Sequence, residues 1–209
     1  MSQPLHVPPT APARLVVLAS GTGSLLASLL RRARGDYPGR VVAVGVDRDC
    51  PAVDVAKAED VPVFCVRMSD HPDRGAWDVA ITEATAAYQP DLIVSAGFMK
   101  LLGPRFLSCF TGRVLNSHPA LLPAFPGAHA VPATLEYGVK VSGCTVHLVD
   151  AGTDTGPVLA QAVVPVLDDD DEASLHERIK VVERRLLAEV IADVATRGVT
   201  WNGRKATIG

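Results

Sequence analysis

A short apolar run at residues 15–19 breaks into Ser20-Gly21-Thr22-Gly23-Ser24, and leucines then return at 25, 26, 29 and 30. A buried strand, a tight glycine turn and an amphipathic helix produce that pattern in that order. The pattern recurs along the chain. Residues 41–46 read as a strand ending at Asp47, and 51–58 as a short helix with Pro51 in its first turn. A third strand is predicted at 63–66 and a helix at 76–88, with Trp77 and Ile81 on one side. A fourth strand at 91–95 runs into Ala96-Gly97-Phe98-Met99, and a fifth at 113–115 leads into Asn116. Strand–helix alternation of this kind predicts an α/β fold, a single-domain doubly wound and mostly parallel sheet. Such sheets bind ligands outside the carboxyl ends of their strands. Loops 20–24, 96–102 and 116–119 all fall at those ends and point to one shared site.

The pattern changes after residue 119. Residues 121–132 are rich in Pro, Ala and Gly and predict a loop over the site. A short helix is expected at 133–137, then strands at 144–149 and 158–165 joined by the loop that carries Asp154. The acidic run 168–172 suits the N-terminus of a helix, whose dipole it complements. Leu175, Ile179, Val182, Leu186, Val190 and Val194 form one apolar stripe, so this closing helix packs on the sheet. The proline-rich residues 1–12 read as a disordered N-terminal leader, and 13–209 as one domain.

Of 209 residues, 48% are hydrophobic and 21% charged, enough for a large core. A net charge of −3 implies no general affinity for nucleic acid, and no apolar run reaches membrane-spanning length. Cys50, Cys65, Cys109 and Cys144 lack a C-x-x-C pair and are expected to be buried thiols of a reduced, cytoplasmic protein. The six histidines lack metal spacing, and no metal is expected.

Asn116-Ser117-His118-Pro119, followed downstream by Asp154-Thr155-Gly156, makes a set for moving an acyl group onto an amine. An amide can donate to a carbonyl oxygen as it becomes an oxyanion. An imidazole titrates in the range where protons must move, and a carboxylate fixes its tautomer or raises its pKa. Gly23 and Ser24 open a helix straight after a strand, where backbone N–H groups suit a phosphate. A plain βα turn is the bland alternative. A dinucleotide fingerprint is another, with Asp47 as its ribose acid. The third glycine of that fingerprint is Leu26 here, which favours a monophosphate. The apolar loop Met99, Lys100, Leu101, Leu102 could hold a flat heterocycle or simply pack at a strand end. Arg74 could meet a carboxylate or lie free on the surface, and Glu183 could bind ligand or face solvent. His129 and His147 have no assigned partner.

These segments together resemble the phosphoribosylglycinamide formyltransferases. The resemblance runs from about residue 15 to 194, and Asn116-Ser117-His118-Pro119-Ala120-Leu121-Leu122-Pro123 is its most specific part. It implies a Rossmann-like formyltransferase fold with Asn116, His118 and Asp154 as the catalytic trio. It places the substrate phosphate on Gly23, Ser24 and Leu25, and the ribose near Glu183 and Lys180. It places the folate on Arg74, Met99, Lys100, Leu101 and Leu102, with Asn116 and the loop from Asp150 to Asp154 closing over the pterin. Ala124, the single His129 in Gly127-Ala128-His129-Ala130-Val131, and residues 150–153 depart from the family pattern.

The implied reaction moves the formyl group of 10-formyltetrahydrofolate to the amine of glycinamide ribonucleotide in purine synthesis, without a metal. Asn116 and a protonated His118 would stabilise the oxyanion, with Asp154 keeping His118 protonated. Two small molecules are then the partners, and a homodimer is consistent with the low charge. A formyltetrahydrofolate deformylase would carry a further N-terminal domain, for which about a dozen residues leave no room. A tRNA-directed formyltransferase would carry a further C-terminal one. A non-catalytic nucleotide-binding module is the alternative from another class.

Overall fold

Leu15 to Ala19 are fully buried at five consecutive positions, as in a strand covered on both faces. The computed structural model describes residues 4–209 and shows how that covering is built. The elements run β1 (Leu5–Val7), β2 (Ala13–Ala19), α1 (Ser24–Arg32), β3 (Gly39–Val46), α2 (Ala52–Lys57), β4 (Val63–Cys65), α3 (Arg74–Ala86), β5 (Leu92–Ser95), α4 (Pro104–Cys109), β6 (Val114–His118), α5 (Ala130–Tyr137), β7 (Val141–Leu148), β8 (Val158–Pro165), α6 (Glu172–Arg197), β9 (Val199–Asn202) and β10 (Lys205–Ile208). They form one sheet in the order β1-β9-β10-β8-β7-β6-β5-β2-β3-β4. Strands β6, β5, β2, β3 and β4 are mutually parallel. Strands β7 and β8 extend that sheet antiparallel.

Successive side chains of β2 go to opposite faces. Leu15 and Val17 join Leu26, Leu29, Leu187 and Ile191, so α1 and α6 cover one face. Val16 and Leu18 join Trp77, Ile81 and Phe106, so α3 and α4 cover the other. A third cluster, around Cys144, Val164, Leu175 and Ile179, fixes α6 on the antiparallel hairpin.

Several elements differ from the sequence expectation. β6 extends through His118, so Asn116 and His118 are strand residues on one face and Ser117 points to the other. Helix α4 has no capping side chain of its own. Asp78 of α3 caps it instead, accepting from the N–H groups of Arg105 at 2.8 Å and Phe106 at 3.3 Å. The β9–β10 hairpin turns at Gly203, whose φ of 58° favours glycine. The expected disordered leader is not disordered throughout: Leu5–Val7 pairs antiparallel with Val199–Trp201, and the Thr10 N–H donates to the Ala195 carbonyl at 2.8 Å. Residues 1–3 of that leader lie outside the described residues. Of the cysteines expected to be buried, Cys144 is, whereas Cys65 and Cys109 are exposed at element ends.

Candidate active site

The adjacent carboxyl ends of β2, β5 and β6 carry loops 20–23, 96–103 and the segment after His118. Pairing of β6 with β7 sets Asn116 directly opposite His147. Asn116 Nδ2 lies 3.2 Å from His147 Nε2, and His147 Nδ1 lies 2.9 Å from the Leu148 carbonyl. A carbonyl only accepts, so Nδ1 carries a hydrogen, and Nε2 is the ring atom turned towards the Asn116 amide. Asp154 Oδ1 is 3.5 Å from that same Nε2.

His118 is nearly sealed from solvent. Its Nε2 donates to the Phe125 carbonyl at 2.8 Å, and its Nδ1 lies 3.3 Å from Asp154 Oδ2. Burial pulls the His118 pKa below its ordinary 6.5, against the opposing pull of Asp154 and the Phe125 carbonyl. Burial and the Asp154 carboxylate thus act on the His118 proton in opposite directions, burial being the larger. Asp154 itself is held down to about 2, first by His147, then by the Gly127 N–H and the His118 charge, against burial. The Gly127 N–H donates to Asp154 Oδ2 at 2.7 Å. Loop 121–129 therefore grips the imidazole through Phe125 and the carboxylate through Gly127. His147 joins these groups as a member that sequence reasoning left uncommitted; only strand pairing reveals it. His129 is exposed and outside this cluster.

A cleft of about 120 Å³ opens beside Asn116, His147 and Asp154, bounded by Lys100, Leu101, Leu102 and the turn Asp150–Asp154. Asp150 organises that turn by accepting from the Gly152 N–H at 3.1 Å and the Thr155 hydroxyl at 2.6 Å. Arg74 and Met99 are not part of its lining. Arg74 donates to the Leu101 carbonyl and lies over Trp77, while Met99 is 62% exposed at the rim. A larger depression of about 760 Å³ lies at the amino ends of β2 and β3, near Pro12, Arg14, Arg40 and Pro62, at the opposite end of the sheet.

Gly23 precedes α1 with φ 73°, and no side chain caps that helix end. A Cβ on Gly23 would sit 2.8 Å from Ala52 Cα. Glycine is thus required there, and the first-turn N–H groups of Ser24 and Leu25 lack a side-chain cap. Asp47 does not fit the ribose acid of a dinucleotide site, because its fully buried carboxylate is already engaged. Arg48 reaches it at 2.6 Å and Lys100 at 4.0 Å. Burial opposes its ionisation, but Arg48 and the Ser20 hydroxyl overcome this and hold its pKa below the usual value. Ser20 also accepts from the Met99 N–H at 2.9 Å, which ties loop 20–23 to loop 96–103.

On α6, Glu183 is 9% exposed rather than solvated. It accepts from the Ser117 hydroxyl at 2.8 Å, and burial raises its pKa above 4.5 despite that bond. Lys180, one turn away, pairs with Glu177 at 3.7 Å. Among the described residues no cluster of three His, Cys, Asp or Glu side chains could hold a metal ion. No helix there is long and apolar enough to cross a membrane.

An open α/β sheet with an amide, two imidazoles and a carboxylate at its strand ends belongs with acyl-transferring enzymes. Residues 13–191 match the formyl transferase family model, and the chain belongs to that family. Within it, the chain is 71% identical over 209 residues to the phosphoribosylglycinamide formyltransferase of Mycobacterium tuberculosis, covering 100% of this chain and 97% of that one. It is 33% identical over 195 residues to the protein of the same name from Bacillus subtilis, covering 92% and 99%. The crystal structure of glycinamide ribonucleotide transformylase 1 from Symbiobacterium toebii superposes with a TM-score of 0.91 at 43% identity, covering 94% of this chain and 93% of that one.

Proposed function

We propose that this protein transfers the formyl group of 10-formyltetrahydrofolate to the amine of glycinamide ribonucleotide, a step of purine biosynthesis. The observation that carries the reading is the convergence of Asn116, His118, His147 and Asp154 beside the cleft lined by Lys100, Leu101 and Leu102. The names of the relatives supply the ribonucleotide acceptor and the formyl group, and the folate donor is what the family resemblance implies.

Asn116 and His118 lie on one face of β6 and Ser117 on the other. The folate is assigned to the cleft on the first face, with Arg74 and Met99 at its rim and the turn Asp150–Asp154 over the pterin. The ribonucleotide is assigned to Gly23, Ser24 and Leu25 for its phosphate, and to Glu183 and Lys180 on the second face for its ribose. The formyl carbon then meets the amine at the end of β6. A C–N bond forms between amine and formyl carbon, and the bond to folate N10 breaks. The amine loses one proton, N10 gains one, and no electrons are exchanged with a third partner. The Asn116 amide, through the N–H that does not face His147, donates to the oxyanion, and the His118–Asp154 pair relays the proton. A donor aimed at an oxyanion is typically worth about 3 kcal/mol of barrier. Holding both substrates together contributes much of the remainder.

Incubating the protein with 10-formyltetrahydrofolate, with and without glycinamide ribonucleotide, tests the assignment. Formylated ribonucleotide and tetrahydrofolate appearing together, and only with the amine present, is the expected result. Tetrahydrofolate released equally without the amine makes the protein a deformylase. No product either way favours a binding module. The exposed thiols Cys65 and Cys109 suit a reducing cytoplasm. The exposed Val141, Val163 and Val181 suit a homodimer, which sedimentation would detect.

A further inference from the structure

Ser117 sits between Asn116 and His118, yet the chemistry above gives it no task. Its side chain leaves the strand on the opposite face, towards α6, where it is buried. There its hydroxyl donates to Glu183 Oε1 at 2.8 Å. Glu183 interrupts an otherwise apolar line of α6 made by Leu175, Ile179, Leu187 and Ile191. A carboxylate accepts several hydrogen bonds. Among the described residues only Oε1 is engaged, while Oε2 has no partner and is not sealed from solvent. Lys180 and Arg184 on α6 are drawn towards Glu177, at 3.7 and 3.3 Å, and neither pairs with Glu183. Cys144 of β7 faces the same carboxylate, its thiol pushed up to about 12 by burial and then by the Glu183 charge. The Ser117 hydroxyl is thus the one donor that decides which way Glu183 points.

We propose that Ser117 is a positioning residue for the amine substrate: its hydroxyl turns Glu183 so that Oε2 faces the ribose diol of glycinamide ribonucleotide, making Ser117 a determinant of affinity for that substrate alone. The inference rests on the assignment of the ribose to Glu183. Two hydroxyl donors side by side suit an oxygen acceptor that is desolvated, fixed at one end and open at the other. Loss of the serine hydroxyl leaves the carboxylate free to rotate and disfavours its ionised form.

Steady-state kinetics on the full chain with Ser117→Ala, Ser117→Thr and Glu183→Gln test this. Ser117→Ala is expected to raise KM for the ribonucleotide about tenfold, the size of one lost hydrogen bond to a charged group. KM for the formyl donor and kcat should stay within about twofold, since neither Asn116 nor His118 is altered. The acid limb of kcat/KM for the ribonucleotide should move to higher pH, because Glu183 then binds its proton more tightly. Ser117→Thr, which keeps the hydroxyl, should restore most of the affinity. In a Glu183→Gln background, Ser117→Ala should add no further loss, because the serine acts through the carboxylate. An unchanged KM for the ribonucleotide, a parallel fall in kcat and both affinities, or an additive double variant each overturns the proposal. A wild-type protein that does not use glycinamide ribonucleotide overturns the functional assignment instead, which separates the two failures.

Discussion

The parallel half of the sheet and its antiparallel extension contribute to the site in different currencies. The parallel half offers mainly backbone: uncapped N–H groups after Gly23 and the loop 96–103, with side chains such as Asp47 and Ser20 consumed in bracing those loops. The antiparallel extension and α6 offer side chains: His147 on β7, beside Asp154 on the β7–β8 loop and Glu183 on α6, the last two with shifted pKa values. β6 is the seam, parallel to β5 and antiparallel to β7, and it carries Asn116 and His118. Backbone donors suit an unchanging phosphate. Desolvated side chains suit charge that appears only as the reaction proceeds. Changes in the parallel half should therefore act on KM, and changes around Asp154 on kcat.

The largest effect is expected from Asp154→Asn. It removes the partner of both His118 and His147 while keeping the Gly127 contact geometry. A fall in kcat of about 10²–10³ is expected, with Tm little changed. Because Asp154 has a pKa of about 2, it stays ionised across any practical assay range. The acid limb that His118 contributes to kcat should lie below pH 6.5, because burial lowers that group's pKa. A kcat for Asp154→Asn near that of the wild type would break the division between the halves. Next in size is Gly23→Ala. The left-handed backbone and the contact with Ala52 should cost about 1–2 kcal/mol of stability. KM for the ribonucleotide should rise about tenfold with kcat held, as for loss of binding shared by ground and transition states. An equal loss in kcat would show that the phosphate loop also acts in the transition state.

The same division explains what could be read from the sequence. The parallel strands were legible because each holds a short apolar run that gives way to glycine or polar residues, and their loops carry the compact signals around Gly23 and Asn116. The antiparallel part was less so. His147 lies in a buried strand and acquires its partner only when β7 pairs in register with β6. Asn202-Gly203 was the available signal for the final hairpin, whereas α4 depends on a cap from Asp78, remote in sequence. The apolar stripe predicted for α6 runs one residue out of phase at Val182 and Leu186, which are only half-buried. The strict four-residue spacing of 175, 179, 183, 187 and 191 places Glu183 in the buried line, and that conflict was the clue to its role.

Glu183→Gln separates binding from stability within the antiparallel part. The folded pKa of Glu183 is raised, so the protonated form is favoured by folding. Its contribution is fully present below pH 4.5 and is lost as pH rises through the raised value. His118 runs the other way, since its folded pKa is lowered: its contribution is present above pH 6.5 and is lost as pH falls through the lowered value. Glu183→Gln should accordingly melt a few degrees higher than the wild type at pH 7.5 and alike at pH 4, while binding the ribonucleotide more weakly. Thermal melts across that range check it. A variant that melts lower at pH 7.5 would mean that the ionised carboxylate, despite its burial, is a net stabiliser.

The smallest effect is expected from Asp73→Ala, in the parallel half. Asp73 caps α3 by accepting from the Ala76 N–H at 2.8 Å, and Arg74, the next residue, reaches the Leu101 carbonyl. Losing the cap should cost about 1 kcal/mol of stability, as N-caps generally do. The first turn of α3 should then fray and slacken the brace on loop 96–103. KM for the formyl donor should rise by about twofold, while KM for the ribonucleotide and kcat hold. A larger effect on the donor than Arg74→Ala produces would mean that the helix end itself, rather than the guanidinium, positions the loop, and would make backbone geometry the parallel half's contribution to folate as well as to phosphate.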